Sequence, residues 1–180
     1  MDLDAVQLFE RAATDAAAMA GRVSVEQLND ATPCSEWTVA QLLEHMAGGT
    51  SYLLGALGVD HAPTGTDADA YREAVRRCVD ALRQPGALER RCMSPAGFEW
   101  SVAEAAAGTF MDQLVHTWDL AVATGQDPTL DPQLTEACVE MFLPHMPDIG
   151  RRAGLVGPEV VVPADAPAQD RLLGAMGRQP

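Results

Sequence analysis

The chain predicts an all-α fold, a helical bundle, and three observations carry that expectation. Apolar residues recur at three- and four-residue spacing over several long stretches, which is the period of one buried helix face. Two of those stretches open on the same signature, Thr38-Val-Ala-Gln41 and Ser101-Val-Ala-Glu104. In each, the hydroxyl and the side chain three residues on can satisfy orphan backbone N–H groups reciprocally. Only two short pieces, within residues 86–98 and at Glu159-Val-Val-Val-Pro163, read as extended chain. With 180 residues, one domain over 1–180 is expected, long enough to bury a core.

Taken in order, the first helix is expected from Leu3 to Arg22, capped by Asp2 or Asp4. Val6, Leu8, Phe9, Ala13, Ala16 and Ala17 form its apolar side, and Gly21 marks its end. A connection from Val23 to Glu36 contains Thr32-Pro33-Cys34. The second helix opens on Thr38, with Trp37 before it as a hydrophobic staple. Val39, Leu42, Leu43, Met46, Leu53, Leu54 and Leu57 make its core face, and it ends near Gly58. Gly48 and Gly49 lie inside it, each costing about 1 kcal/mol relative to alanine. Another helix or a ligand is therefore expected to come close there.

Residues 59–66 read as a loop, and Asp67 to Arg83 as a third helix stopped by Gln84-Pro85-Gly86. The fourth helix runs from Ser101 to about Thr124, with Gly125 in the C′ position. A shorter fifth helix spans Asp131 to Leu143 and stops at Pro144. Glu159–Pro163 reads as one isolated strand, and the tail DRLLGAMGRQP as a last helical turn.

Composition excludes several function classes. The net charge is −14, which argues against nucleic acid and anionic membrane surfaces, since both need a basic footprint. There is no lysine, so Schiff-base chemistry and a P-loop lysine are excluded. No apolar run reaches the roughly 18–20 residues of a spanning helix, and the N-terminus lacks a signal-peptide pattern, so a cytoplasmic protein is expected. Cys34, Cys78, Cys92 and Cys138 form no CxxC pair, which fits reduced thiols better than a disulfide framework or a structural zinc site.

The chemistry concentrates in DQLVHTWD, Asp112 to Asp119. Asp112 and His116 are four residues apart, which on a helix puts them on one face, one turn apart. They are two ready ligands for a divalent metal such as zinc, or else a solvated polar face. A five-residue repeat, EWTVA at 36–40 and EWSVA at 99–103, suggests where a third ligand lies. His45 is seven residues after Thr38, and Asp112 and His116 are eleven and fifteen after Ser101. At ~100° per residue, all three fall within about 80° of one another relative to their caps. If the two helices face each other, His45 completes a His-Asp-His set with an open position, the pattern of a catalytic site. The competing reading of His45 is a satisfied structural histidine. Asp119 is either a partner for His116 or, as preferred here, a cap or ion-pair group near the helix end. Tyr52 lies on the same side of the second helix as His45. Trp37 and Trp100 read as packing anchors, and His61 and His145 as surface residues.

TPCSEWTVAQLLEHMAG, DQLVHTWDLAVATG and VVVPADAPAQDRLLGAMGRQP together resemble the mycothiol-dependent maleylpyruvate isomerase N-terminal family, within the DinB-like metal-binding bundles of actinobacteria. The resemblance implies a DinB-like four-helix bundle with an additional short helix and a minor C-terminal extended segment. It implies Zn2+ or Ni2+ held by His45, Asp112 and His116, a long crossover between the second and third helices, and a homodimer. It implies a metal-dependent thiol transferase or isomerase whose partners are a small-molecule thiol, mycothiol, and an electrophilic substrate. Asp119 and Tyr52 are then the candidates for orientation or proton handling. A metal-dependent hydrolase and a non-catalytic metal- or ligand-binding bundle are the alternatives. The isomerase carries glutamate where this chain has Asp112, and a further C-terminal α/β domain, so maleylpyruvate is not assigned as substrate.

Overall fold

The structure, a computed structural model, describes residues 4–34, 37–59 and 67–180. These residues form seven α-helices: α1 Ala5–Ala20, α2 Val39–Ala56, α3 Ala68–Leu82, α4 Val102–Thr124, α5 Pro132–Phe142, α6 Met146–Arg152 and α7 Ala168–Ala175. A 3-10 helix, Val25–Asn29, follows α1, and a hairpin of β1 Arg91–Met93 and β2 Glu99–Ser101 precedes α4. The all-α expectation holds. No helix among the described residues is long and apolar enough to cross a membrane.

Capping decides where the helices begin. Gln41 N–H donates to Thr38 Oγ1 at 3.4 Å, while Thr38 N–H donates to Gln41 Oε1 at 2.9 Å. Ser101 and Glu104 make the same exchange at 3.1 and 2.6 Å. A third box, not foreseen, opens α1, where Gln7 N–H donates to Asp4 Oδ1 at 2.8 Å and Asp4 N–H to Gln7 Oε1 at 3.0 Å. A cap of this kind contributes about 1 kcal/mol. Gly125, at φ +67°, closes α4 as its C′ position required.

The chain forms two compact units, one holding α1–α4 with both strands, the other holding α5–α7. In the first unit, α1 packs on α4 and α3, and α2 packs on α4 and α3. Each helix thus has two neighbours, which closes a four-helix ring. Leu8, Phe9, Leu42, Met46, Leu53, Leu54, Leu82, Phe110 and Leu120 are fully buried in it. In the second unit, α5 packs on α7, with Leu134, Cys138, Leu172 and Leu173 buried.

Some expectations are revised. The extended piece within 86–98 is half of a hairpin, pairing Arg91 with Ser101, Cys92 with Trp100 and Met93 with Glu99. Glu159–Pro163 makes no ladder; Val160 N–H instead donates to the Gly174 carbonyl of α7 at 2.9 Å. A single β-branched run with no neighbouring strand has nothing to pair with, and a helix end takes its place. α6, just beyond Pro144, is a helix that the sequence pattern does not announce. The expected crossover between the second and third helices, with His61, lies outside the described residues, as do Leu3 and Glu36.

Close approach of α2 to α4 is set at Gly49. A Cβ there would stand 3.2 Å from Gln113 Nε2, 3.3 Å from Thr109 Cγ2 and 3.8 Å from Asp112 Oδ2. At exposed Gly48, a Cβ would meet nothing within 4 Å. Just beside this contact a buried chain links three helices: the Tyr71 hydroxyl of α3 donates to Gln113 Oε1, and Gln113 Nε2 donates to the Met46 carbonyl of α2 at 2.8 Å. Gly48→Ala is expected to raise unfolding free energy by about 1 kcal/mol, the helix-propensity difference. Gly49→Ala yields less, because Gln113 and Thr109 must give way. Urea denaturation of both variants checks the order, and a larger gain from Gly49→Ala contradicts it.

Candidate metal centre

The facing surfaces of α2 and α4 bring His45, Asp112 and His116 together. Asp112 Oδ1 lies 3.1 Å from His45 Nε2 and 3.4 Å from His116 Nε2. The three donor atoms lie within 4.8 Å of one another, and the two imidazole centroids are 4.8 Å apart, edge to face. Of the two sequence readings, a solvated Asp112/His116 face is excluded for His116, which is buried, whereas Asp112 and His45 are each about one-third exposed, at 32% and 37%. The centre is therefore closed on the α4 side and accessible on the other.

His116 is fixed from behind. Its Nδ1 lies 2.8 Å from Asp119 Oδ2, and Asp119 is fully buried. An ionised carboxylate can only accept, so the proton sits on Nδ1 and Nε2 is turned toward Asp112. The helix-end ion pair preferred for Asp119 from sequence gives way to this contact, because Asp119 lies one turn past His116 on the same face of a buried helix. Burial disfavours charge on both Asp112 and His116, yet their attraction outweighs it. His116, with help from His45, holds the Asp112 carboxyl well below the usual carboxylate range. Asp112, then Asp119, raise the His116 imidazole to about 9.

Whether a cation fits follows from the donor set. Two donors each ~2.0–2.1 Å from a tetrahedral zinc ion stand about 3.3 Å apart. Asp112 Oδ1 meets both histidine nitrogens at 3.1 and 3.4 Å. A carboxylate behind the ligating imidazole is the usual support of such a site. In this arrangement one oxygen faces two imidazole nitrogens, so either a proton or a cation must occupy the space between. His45, Asp112 and His116 fit a divalent ion.

Sequence reasoning missed two neighbours. Trp37, read as a packing anchor, lies over both histidine rings, its centroid 4.5 Å from His45 and 5.7 Å from His116. Cys34 forms a second donor group with His116 and Asp119, all within 4.8 Å. Both residues ride on a tightly bonded loop. Ala31 and Thr38 form a bridge, Thr32 Oγ1 donates to the Cys34 and Trp37 carbonyls at 3.0 and 2.9 Å, and Trp37 N–H donates to the Cys34 carbonyl at 2.8 Å. The signal was in the repeat. Trp37 precedes its cap and covers the residue eight further on, His45; Trp100 does the same over Gly108, where a Cβ would stand 2.8 Å from the indole.

Tyr52 belongs to the hairpin side of α2. Its hydroxyl donates to the Met93 carbonyl at 2.9 Å, accepts from Trp100 Nε1 at 2.7 Å and lies 3.4 Å from Cys92 Sγ. Burial, then Cys92, push its phenol up to about 12 against the pull of Trp100. Among its bonds, none reaches His45, Asp112 or His116. His145 is exposed.

The profile of the mycothiol maleylpyruvate isomerase N-terminal domain matches residues 9–81. That stretch spans most of α1, all of α2 and most of α3, and contains His45. Two Mycobacterium tuberculosis proteins resemble the chain along its whole length: uncharacterized protein MT0763 of strain CDC 1551 / Oshkosh and uncharacterized protein Rv0738 of strain ATCC 25618 / H37Rv. Each is 30% identical over 196 residues, covering 98% of this chain and 98% of the relative. No solved structure matches significantly. With the bundle, its paired caps and these matches in agreement, the chain belongs to the mycothiol maleylpyruvate isomerase N-terminal domain family.

Proposed function

We propose that the protein is a divalent-metal-dependent enzyme that activates a small thiol, of the mycothiol type, for attack on an electrophilic small molecule. The observation that carries this reading is the donor geometry: three ligand atoms converge from two helices and leave one side open. A zinc ion there would lower the pKa of a coordinated thiol and keep it as thiolate at neutral pH. His45, Asp112 and His116 hold the ion. Asp119 keeps His116 in the tautomer that offers Nε2. Trp37 walls the centre on the loop side and restricts the His45 ring. Tyr52 keeps its proton at neutral pH, so its part is to hold the hairpin against α2. We place the protein in the cytoplasm, where low-molecular-weight thiols are reduced; no disulfide joins its four cysteines, which supports that location. A hydrolase would use the same metal ligands, but the family relation favours thiol chemistry.

Conjugation of mycothiol by the zinc- or nickel-loaded protein, followed as thiol loss over a panel of epoxides, quinones and maleyl compounds, tests the reaction. Turnover above the metal-free control with at least one electrophile is expected, and none across the panel leaves only a binding role.

Metal content tests the site itself. The wild type is expected to hold about one zinc per chain by elemental analysis, and His116→Ala and Asp112→Ala to lose it. Asp119→Asn keeps the ligands but loses the carboxylate behind His116, so affinity is expected to fall about 10–100-fold. An unchanged affinity sinks the role given to Asp119.

The pH dependence follows from His116. Its folded pKa is raised to about 9 without metal, above the unfolded value of ~6.5. Its protonation therefore stabilises the metal-free fold fully below ~6.5, and that contribution fades as pH rises through about 9. Metal must displace the same proton, so zinc affinity rises about tenfold per pH unit approaching 9. Calorimetric melting of the metal-free protein and zinc titration should change in opposite directions over this range; parallel trends contradict the assignment.

A further inference from the structure

We propose that Cys34, His116 and Asp119 form a second metal position, selective for thiophilic ions, that shares His116 with the first. The donor atoms of the three lie within 4.8 Å of one another, and the group is distinct from His45–Asp112–His116. Asp119 meets His116 at Nδ1, 2.8 Å away, whereas Asp112 meets it at Nε2. The two sets therefore use opposite edges of one imidazole. His116 and Asp119 are both buried, at 7% and 0% exposure, and Cys34 is half-buried at the rim. The second position thus opens through the cysteine.

The two sets differ in kind. One offers two imidazoles and a carboxylate; the other offers a thiolate, an imidazole and a carboxylate. Thiolates favour soft ions such as Cd2+ or Cu+, while imidazole and carboxylate suit Zn2+ and Ni2+. Binding at the second set releases the Cys34 thiol proton to solvent. His116 gives up its Nδ1 proton to solvent and keeps one on Nε2, which faces Asp112 Oδ1 at 3.4 Å. A neutral imidazole has one lone pair to give, so the two positions compete, and a soft ion on the cysteine side takes His116 away from the first set. This site goes beyond the thiol chemistry proposed above, and its test reads no activity.

Cadmium chloride added to the metal-free, reduced protein is the probe, and thiolate-to-cadmium charge-transfer absorption in the ultraviolet is the readout. The band is expected in the wild type, to saturate at about one equivalent, and to be absent in Cys34→Ser and Cys34→Ala. It is expected to persist in His45→Ala, which breaks only the first set, and to disappear in His116→Ala. Unchanged near-ultraviolet circular dichroism and melting establish that each variant is folded. No band in the folded wild type, or a band that survives Cys34→Ser, overturns the proposal. Loss of the band in His45→Ala also overturns it, because the thiol would then be joining the first set. Failure of zinc to bind the wild type bears on the first position alone, since the cadmium band in His45→Ala does not depend on it.

Discussion

The His116 imidazole, held between two carboxylates on one face of α4, is the constraint around which the first unit is built. Asp112 lies one turn before it and Asp119 nearly one turn after, all within a helix whose other buried residues are mostly apolar. An uncompensated charge in such a place would cost several kcal/mol. Here each group answers another: Asp119 accepts a hydrogen bond from Nδ1–H, and Asp112 faces Nε2 and the His45 ring from α2. Removing His116 takes a hydrogen bond from buried Asp119 and the facing imidazole from Asp112. The cluster therefore requires α2 to sit in one register against α4. The Gln113 bonds to Met46 and Tyr71 fix that same register from the neighbouring turn.

The twin EWTVA and EWSVA segments turn out to be more than a shared cap. The second follows the first by 63 positions, and both copies place a tryptophan over the residue eight further on. Carried across that offset, His45 corresponds to Gly108, Asp112 to Gly49 and His116 to Leu53. His45 stands in the first copy and Asp112 and His116 in the second, and each is matched by a glycine or a leucine in the other copy. The glycines are used. Gly108 gives its space to the Trp100 ring, and Gly49 gives its space to Gln113, Thr109 and Asp112.

This explains what could be seen in the sequence. The caps at Thr38 and Ser101, the stop at Gly125 and the phase relation among His45, Asp112 and His116 are local, because cap chemistry acts over three residues and helix geometry carries the phase over seven to fifteen. The arrival of Trp37 and Cys34 beside His116 is not local. It depends on how a loop closes through Thr32, whose hydroxyl bonds carry no periodic signature. The preference for Asp119 as a helix-end group failed for a similar reason. Sequence position near the end of α4 suggested exposure, while packing against the other helices buries the Asp119 side chain completely. The hairpin before α4 was half visible as an extended piece; its second strand was concealed inside the cap motif, since Glu99, Trp100 and Ser101 serve both.

An aspartate at 112, rather than the longer glutamate, has a structural account. A carboxylate one methylene shorter must bring its backbone nearer to His45 to make the same contact. Gly49 permits that approach: with no Cβ, α2 settles where a methyl group would stand 3.3 Å from Thr109 and 3.8 Å from the Asp112 carboxylate. The result is an Asp112 oxygen 3.1 Å from one imidazole and 3.4 Å from the other, without any reach across empty space. The Gln113–Met46 bond holds α2 at that distance. Asp112 and Gly49 therefore act as a matched pair. The helix glycine that costs about 1 kcal/mol of propensity sets the helix spacing that lets the shorter carboxylate reach both histidines.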